Sequence, residues 1–298
     1  MIDVPDELVA TQIKYGGEAG RAFVAALPAM AAELLDRWEL RRTGRPMHGV
    51  CALVLPVERA DGTPAALKLQ AVDDESVGEP VALRAWDGDG AVRLLEHEPE
   101  TGALLLERLD STRQLSAVAD AREAVRILAG LLARLTSLPA PDGLRRLGDI
   151  AARMLDRVPQ ATASLADDGE RRLLADCAAA VREVAGDSGD RLLHWDLHYD
   201  NILAAHPENP REPWLAIDPK PLAGDRGFDL LPALYNRFDP AETLWRFDLM
   251  TETLGLDRER ARAWTLGRVL QNSLWDVEDG ESGLQEEQVS IARALLAR

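Results

Sequence analysis

Leu192-Leu193-His194-Trp195-Asp196-Leu197-His198-Tyr199-Asp200-Asn201-Ile202-Leu203 is the stretch on which the reading of this chain turns. Two histidines, two aspartates and an asparagine fall between His194 and Asn201, and apolar pairs bound them on both sides. Short apolar runs of this kind predict buried strands flanking a loop. A loop held between rigid strands is where chemistry concentrates. A further apolar run, Trp214-Leu215-Ala216-Ile217, delivers Asp218 at its end. A loop acid, an amide and a strand-end acid (Asp196, Asn201 and Asp218) are therefore expected to converge.

The order His-x-Asp-Leu-x-x-x-Asn followed by a second Asp is a phosphoryl-transfer pattern. A carboxylate at Asp196 would accept a substrate hydroxyl's proton and hold its oxygen in line with the γ-phosphate of ATP. Asn201 and Asp218 offer hard oxygen ligands, which suit Mg²⁺. The same residues admit a metal-hydrolase reading, His-x-Asp-x-His-x-Asp, because imidazole suits zinc or iron. Such sites draw on further histidines, and His48, His97 and His206 stand in no ligand-spaced motif. A polar turn beside a structural aspartate is the plainest alternative. It leaves the agreement of spacing, flanks and second acid unexplained.

The chain has 298 residues, of which 46% are hydrophobic, enough for one large or two modest domains. Its net charge is −17, with a pI near 4.8. Nucleic acid is thereby an unfavourable partner, since phosphate backbones call for basic surfaces. A cationic small substrate suits an acidic cleft, although charge alone also serves solubility. No apolar run approaches the roughly 20 residues that span a bilayer, and Met1–Asp6 lacks the pattern of a secretion signal. A cytoplasmic protein without membrane or obligate protein partner is expected. Cys51 and Cys177 both read as small core residues.

Ahead of the polar stretch, helical spacing of Phe23, Leu27, Met30, Leu34 and Trp38 predicts a helix over 17–42, with a break or a second helix start at Pro28. Strands are predicted at 50–57, 65–70, 92–95 and 103–109. Lys68 stands within the apolar strand Ala65–Gln70, where a lysine is costly unless paired. Glu79 is the best partner and Glu75 the alternative; an exposed edge strand would need neither. In a kinase-like sheet such a lysine contacts the α- and β-phosphates. Met47-His48-Gly49-Val50 takes the place of a nucleotide-covering loop but lacks its glycine pattern. After Leu109 the pattern turns helical: 121–135, 148–158, 170–185, 241–256, 258–275 and 284–297. The expected organisation is a β-rich domain over 1–107 and a helical domain over 108–298.

From about residue 45 to the end, the buried Lys68 and His194–Asn201 with Asp218 resemble the aminoglycoside phosphotransferase branch of the protein-kinase-like fold. The resemblance implies an α+β, bilobal architecture with an antiparallel N-lobe sheet and a mainly helical C-lobe. It implies that Asp196 is the base, Asn201 and Asp218 the magnesium ligands, and Lys68 with Glu79 the phosphate-binding pair. It places the adenine at the backbone of Glu107, Arg108 and Leu109, with His48 near the nucleotide. Asp229, in Gly224-Asp225-Arg226-Gly227-Phe228-Asp229-Leu230, would brace the loop. Met47–Val57 and Ile217-Asp218-Pro219-Lys220-Pro221 look most like the streptomycin 6-phosphotransferases, a group also linked to hydroxyurea resistance. Trp195 departs from the glycine that most aminoglycoside kinases carry there. Asp218-Pro219-Lys220 replaces the Asp-Phe-Gly of protein kinases, and no Ala-Pro-Glu segment follows, so a small-molecule acceptor is expected. Choline-, homoserine- and sugar-type kinases and a non-catalytic binding module are the alternatives. For a guanidinium-bearing acceptor, Trp275, Asp276, Glu278 and Asp279 offer stacking and carboxylates, and His198 could meet the transferred phosphate.

Overall fold

The computed structural model describes residues 2–208 and 211–298, which divide into two compact units. One unit holds the residues up to Asp110 with Ala205–Pro213, and the other holds Ser111–Ala204 with Trp214–Arg298. Helix α1 (Asp6–Arg37) opens the first unit. Strands β1 (Arg41–Arg42), β2 (Met47–His48), β3 (Ala52–Glu58) and β4 (Pro64–Gln70) follow. Then come α2 (Glu79–Trp86), β5 (Leu94–Glu98) and β6 (Ala103–Glu107). The strands form an antiparallel sheet in the order β1-β3-β4-β6-β5, with β2 also paired to β3.

Alternation fixes where Lys68 goes. Leu53, Leu55 and Val57 of β3 and Ala65, Leu67 and Leu69 of β4 share one core with Leu27, Ala31 and Leu34 of α1. Successive strand side chains point to opposite faces, so Lys68 and Gln70 fall on the face away from that core. A one-residue slip would drive the lysine into it.

Three expectations in this unit need correction. Helix α1 starts at Asp6, runs through Pro28 and breaks instead at Gly17 (φ 55°, ψ −124°). A residue without Cβ adopts that backbone at little cost, and the buried stripe across Pro28 holds both sides of the proline. The helix stops at Arg37 because Arg41–Arg42 joins β3 as an edge strand. Cys51 is exposed in the turn between β2 and β3. Cys177 is buried, which pushes its thiol up to about 12.

Strand β7 (Leu109–Gln114) begins in the first unit and continues into the second, where α3 (Ala121–Leu135), β8 (Arg145–Arg146), α4 (Leu147–Ser164) and α5 (Asp168–Val184) follow. Strands β9 (Arg191–Leu193), β10 (Ile202–Ala205), β11 (Trp214–Ala216) and β12 (Leu222–Gly224) come next. Helices α6 (Leu231–Tyr235), α7 (Thr243–Leu254), α8 (Arg258–Glu278) and α9 (Glu286–Leu296) close it. β9 pairs with β12, Leu193 facing Leu222, and β10 pairs with β11, Ile202 facing Ala216. The 194–201 loop therefore leaves one small sheet and enters another, anchored at both ends. Helix α8 is buried along most of its length, and its Trp264 meets Phe228 edge-on at 6.1 Å. Among the described residues no helix is long and apolar enough to cross a membrane.

The break in α1 has a measurable consequence. A Cβ on Gly20 would lie 2.0 Å from the Gln12 carbonyl oxygen, whereas one on Gly17 would meet nothing within 4 Å. Gly20→Ala should lower stability by about 1–3 kcal/mol, the scale of overpacking. Gly17→Ala should cost only its backbone strain, about 1–3 kcal/mol. Denaturant midpoints measure both, and a neutral Gly20→Ala would contradict the close approach.

Candidate active site

The loop is held from behind by a carboxylate. Asp229, fully buried, accepts the His194 backbone N–H at 2.8 Å and also that of Trp195. Its other oxygen, Oδ1, is buried without a partner. Burial pushes the Asp229 carboxyl up to about 7, although the two N–H donors and the Arg268 charge pull the other way.

His194 is the second tie. Its Nδ1 accepts the Asp196 N–H at 3.3 Å, and its Nε2 lies 3.1 Å from the Ile217 carbonyl oxygen. A ring nitrogen that accepts from an amide carries no proton, so His194 is neutral with its hydrogen on Nε2. Burial drives its pKa down to about 3. One imidazole thus joins the backbone of Asp196 to the residue before Asp218. The Lys220 N–H donating to His194 O at 3.0 Å closes the same link.

Asp196, Asn201 and Asp218 are brought together as expected. The Asn201 Nδ2 donates to the Asp196 carbonyl at 3.0 Å, and the Ile217 N–H donates to Asn201 O at 2.9 Å. The Asp196 carboxylate is partly buried, and burial raises its pKa against the His198 and Arg268 charges, which lower it. His198 accepts the Asp200 N–H on Nδ1 at 3.3 Å, which turns Nε2 toward Asp196, 4.0 Å from its Oδ2. With its Nδ2 committed, Asn201 keeps Oδ1 for a cation, and Asp218 adds carboxylate oxygen, shared with the Lys220 ammonium at 3.1 Å. Among the described residues no cluster of three His, Cys, Asp or Glu forms a metal cage. A two-ligand oxygen site that leaves room for phosphates and water is the usual pattern for Mg²⁺.

Both acids sit beside backbone in the left-handed region, at Trp195 (φ 66°) and at Asp218 itself (φ 56°). Aspartate tolerates that region better than most residues. For tryptophan the cost is roughly 1–2 kcal/mol. This accounts for the glycine usual there in aminoglycoside kinases and raises the question of what holds Trp195. Its ring is buried, with the Arg145 guanidinium 4.2 Å and the Arg268 guanidinium 4.7 Å from its centroid.

Asp196 opens onto a cavity of about 420 Å³ within the second unit. Helix α8 lines it with Arg268, Asn272, Trp275 and Asp276, spaced by four, three and one residues, and Asp279, the residue that caps the helix, follows three positions on. His198, Tyr235, Asn236, Gln285 and Gln288 add further polar groups to the lining. Four residues of this lining each carry a buried oxygen that has no hydrogen-bond partner among the described residues: Asn236 Oδ1, Asn272 Oδ1, Asp276 Oδ2 and Gln288 Oε1. The Asn236 amide is oriented by its Nδ2, which donates to Asp200 at 2.9 Å. Asp276 accepts from Gln285 on its other oxygen at 2.8 Å, and burial raises its pKa. Glu278 does not join them. It points away and pairs with Arg157 at 2.8 Å. Arg268, Asn272, Asn236 and Gln288 were not anticipated; polar residues at helical spacing on an otherwise apolar α8 are the signal that marks the first two.

In the first unit, Lys68 Nζ lies 2.8 Å from both Glu79 oxygens, with both residues buried, and Gln70 also donates to Glu79. Glu107 ends β6 with its N–H on the Arg93 carbonyl and its carboxylate on the Arg93 N–H and the Arg211 guanidinium. Neither its N–H nor its side chain stands open to a base. Arg211 also donates to Gly88 and Ala91, which ties Ala205–Pro213 to this unit. Leu109 is buried at the start of β7. His48 is partly exposed on β2, with Nδ1 on the Gly49 carbonyl and Nε2 3.9 Å from Glu7.

A family model described as aminoglycoside/hydroxyurea antibiotic resistance kinase matches residues 37–280. A hydroxyurea phosphotransferase of Kitasatospora aureofaciens is 64% identical over 300 residues, covering 100% of this chain and 87% of the relative. A streptomycin 6-kinase of Streptomyces glaucescens is 55% identical over 303 residues, covering 99% and 97%. Among solved structures, a thermostable mutant of an aminoglycoside phosphotransferase in ternary complex with ADP and hygromycin B gives a TM-score of 0.60 at 13% identity. That match covers 89% of this chain and 97% of the other, and it shows the common protein-kinase-like fold.

Asp229 and His194 act oppositely on stability. A carboxyl raised from about 4 to about 7 binds its proton more tightly when folded, so its contribution falls as pH rises through that window. An imidazole lowered from 6.5 to about 3 releases its proton on folding, so its contribution rises with pH between those values. Where the windows overlap, the two offset each other. Asp229→Asn leaves His194 alone, and stability of the variant should climb with pH more steeply than wild type between about 4 and 6.5. The added slope approaches one proton, ~1.4 kcal/mol per pH unit. Parallel melting profiles for the two proteins would contradict this.

Proposed function

The chain belongs to the aminoglycoside/hydroxyurea antibiotic resistance kinase family, and from that premise we propose that it transfers the γ-phosphate of ATP to a hydroxyl of streptomycin. Asp196 accepts the hydroxyl proton and aligns the oxygen. His198, with Nε2 turned toward that carboxylate, orients it. Asn201 and Asp218 hold Mg²⁺, which when bound neutralises phosphate oxygens. Lys68, steadied by Glu79, binds the nucleotide phosphates. The reading calls for no protein partner and sets the enzyme in the cytoplasm, where ATP is at hand.

The observation that carries the acceptor assignment is the row of unpartnered oxygens. A buried acceptor left without a donor is costly, and four of them belong to residues that line one cavity beside Asp196 and Asp279. Such a lining fits a ligand rich in N–H donors and positive charge. Streptomycin carries two guanidinium groups, which pair with carboxylates through paired hydrogen bonds. Trp275 offers a ring on which one can stack. The second reading is hydroxyurea, favoured by the 64% identical relative named for it. Its few atoms would satisfy only part of the lining.

Mass spectrometry of mixtures containing Mg·ATP with streptomycin, hydroxyurea, choline, homoserine or simple sugars sorts these acceptors. Phosphorylated streptomycin is expected with the highest kcat/KM. No product from any acceptor would favour a non-catalytic binding module. Asp196→Ala should lower kcat on streptomycin by at least ~100-fold, and near wild-type turnover would exclude Asp196 as the base. Asp276→Ala should raise the streptomycin KM about tenfold with kcat and the ATP KM nearly unchanged, as for a group that binds ground and transition states alike. An unchanged streptomycin KM would place the recognition elsewhere.

A further inference from the structure

Trp195 bears two costs that its neighbours must offset. Its backbone is left-handed, and its indole N–H is buried without a partner. What it has instead is its ring. The Arg145 guanidinium lies 4.2 Å from the centroid, and Arg145 also donates to the Lys220 carbonyl at 3.3 Å, two residues past Asp218. The Arg268 guanidinium lies 4.7 Å from the same centroid, 5.3 Å from the Trp275 ring and 5.8 Å from Phe228. The Trp195 and Trp275 rings are themselves 6.2 Å apart.

Arg268 is out of character with its surroundings. It lines a cavity whose acidic groups are Asp196, Asp276 and Asp279. A cation free to reach those carboxylates would compete with a cationic acceptor for them. Its charge is already felt at Asp196 and Asp229. Aromatic faces attract a guanidinium through the ring quadrupole, more strongly where water is excluded. The planar group also stacks, which an ammonium does not do as well. A glycine at position 195 would remove the nearest ring and leave Arg268 to the pocket's acids.

We propose that Trp195 is a positioning residue: its ring, with that of Trp275, parks the Arg268 guanidinium and so keeps the pocket's carboxylates available to a cationic acceptor. The residue that precedes the base thereby sets acceptor specificity while Arg145 fixes it to the segment after Asp218. The proposal rests on the cavity being the acceptor site, as argued above, but not on turnover.

Calorimetric titration of streptomycin into the full-length protein tests it without phosphoryl transfer. Trp195→Leu, which keeps burial and loses the ring, should weaken binding about tenfold, and Trp195→Phe should stay within about threefold of wild type. The sign at Arg268 decides between positioning and plain packing. Arg268→Lys keeps the charge but stacks poorly and should weaken binding; Arg268→Met removes the competing cation and should bind at least as tightly as wild type. On the Arg268→Met background, Trp195→Leu should have no further effect on affinity. Should Trp195→Leu fail to fold, the opposite signs of the two Arg268 variants carry the test. Weakening by Lys and Met alike, or equal affinities for the Leu and Phe variants, would overturn the proposal. Wild-type binding without product would sink only the phosphotransfer reading, and no wild-type binding would overturn both.

Discussion

A fully buried carboxyl group holds the polar loop in place. Asp229 takes the backbone N–H groups of His194 and Trp195, and those two residues aim Asp196. The arrangement is expensive, since burial lifts the carboxyl to about 7 even against its N–H donors and the Arg268 charge. The strands on either side pin residues 193 and 202. Between them, Asp229 from behind and His194 from the side fix the path. His194 then passes the constraint on to Ile217 and so to Asp218. One imidazole and one carboxylate, neither of which needs to touch substrate, decide where two acids and an amide meet.

The first unit solves a similar problem with opposite charges. Lys68 and Glu79 are both buried and mutually paired. A buried pair of this kind adds little net stability, because desolvation consumes most of the attraction. Removing one partner would leave an uncompensated charge. Its value is positional: strand alternation sends Lys68 away from the core, and the glutamate fixes where its ammonium stops. Such a geometry suits a phosphate-binding lysine better than it suits a structural one.

Much of this was legible in the sequence, for identifiable reasons. The pairing of Lys68 with Glu79 follows from a charge in an apolar strand, which has few tolerable solutions. The convergence of Asp196, Asn201 and Asp218 follows from apolar runs that flank polar residues at fixed spacing. The fold follows from the same motifs, and the family match agrees with it. Other features depend on contacts distant in sequence and left no local trace. The break at Gly17 rather than Pro28 depends on packing across the proline. The Glu107 carboxylate is claimed by Arg211, more than a hundred positions later, and no local pattern announces that pairing. Glu278 shares an acidic run with Asp276, yet two positions of helical phase turn it outward to Arg157. Trp195 looked like an anomaly, and only the two guanidinium groups on its ring give it a purpose.

Phosphorus NMR of a single reaction tests the central claim most directly. Protein, Mg·ATP and streptomycin are followed to completion beside the Asp196→Asn variant. The account predicts a phosphomonoester signal on the acceptor that grows in step with ADP in the wild type and is nearly absent in the variant. ADP accumulating with free phosphate and no phosphorylated acceptor, or equal ester formation by both proteins, would contradict it.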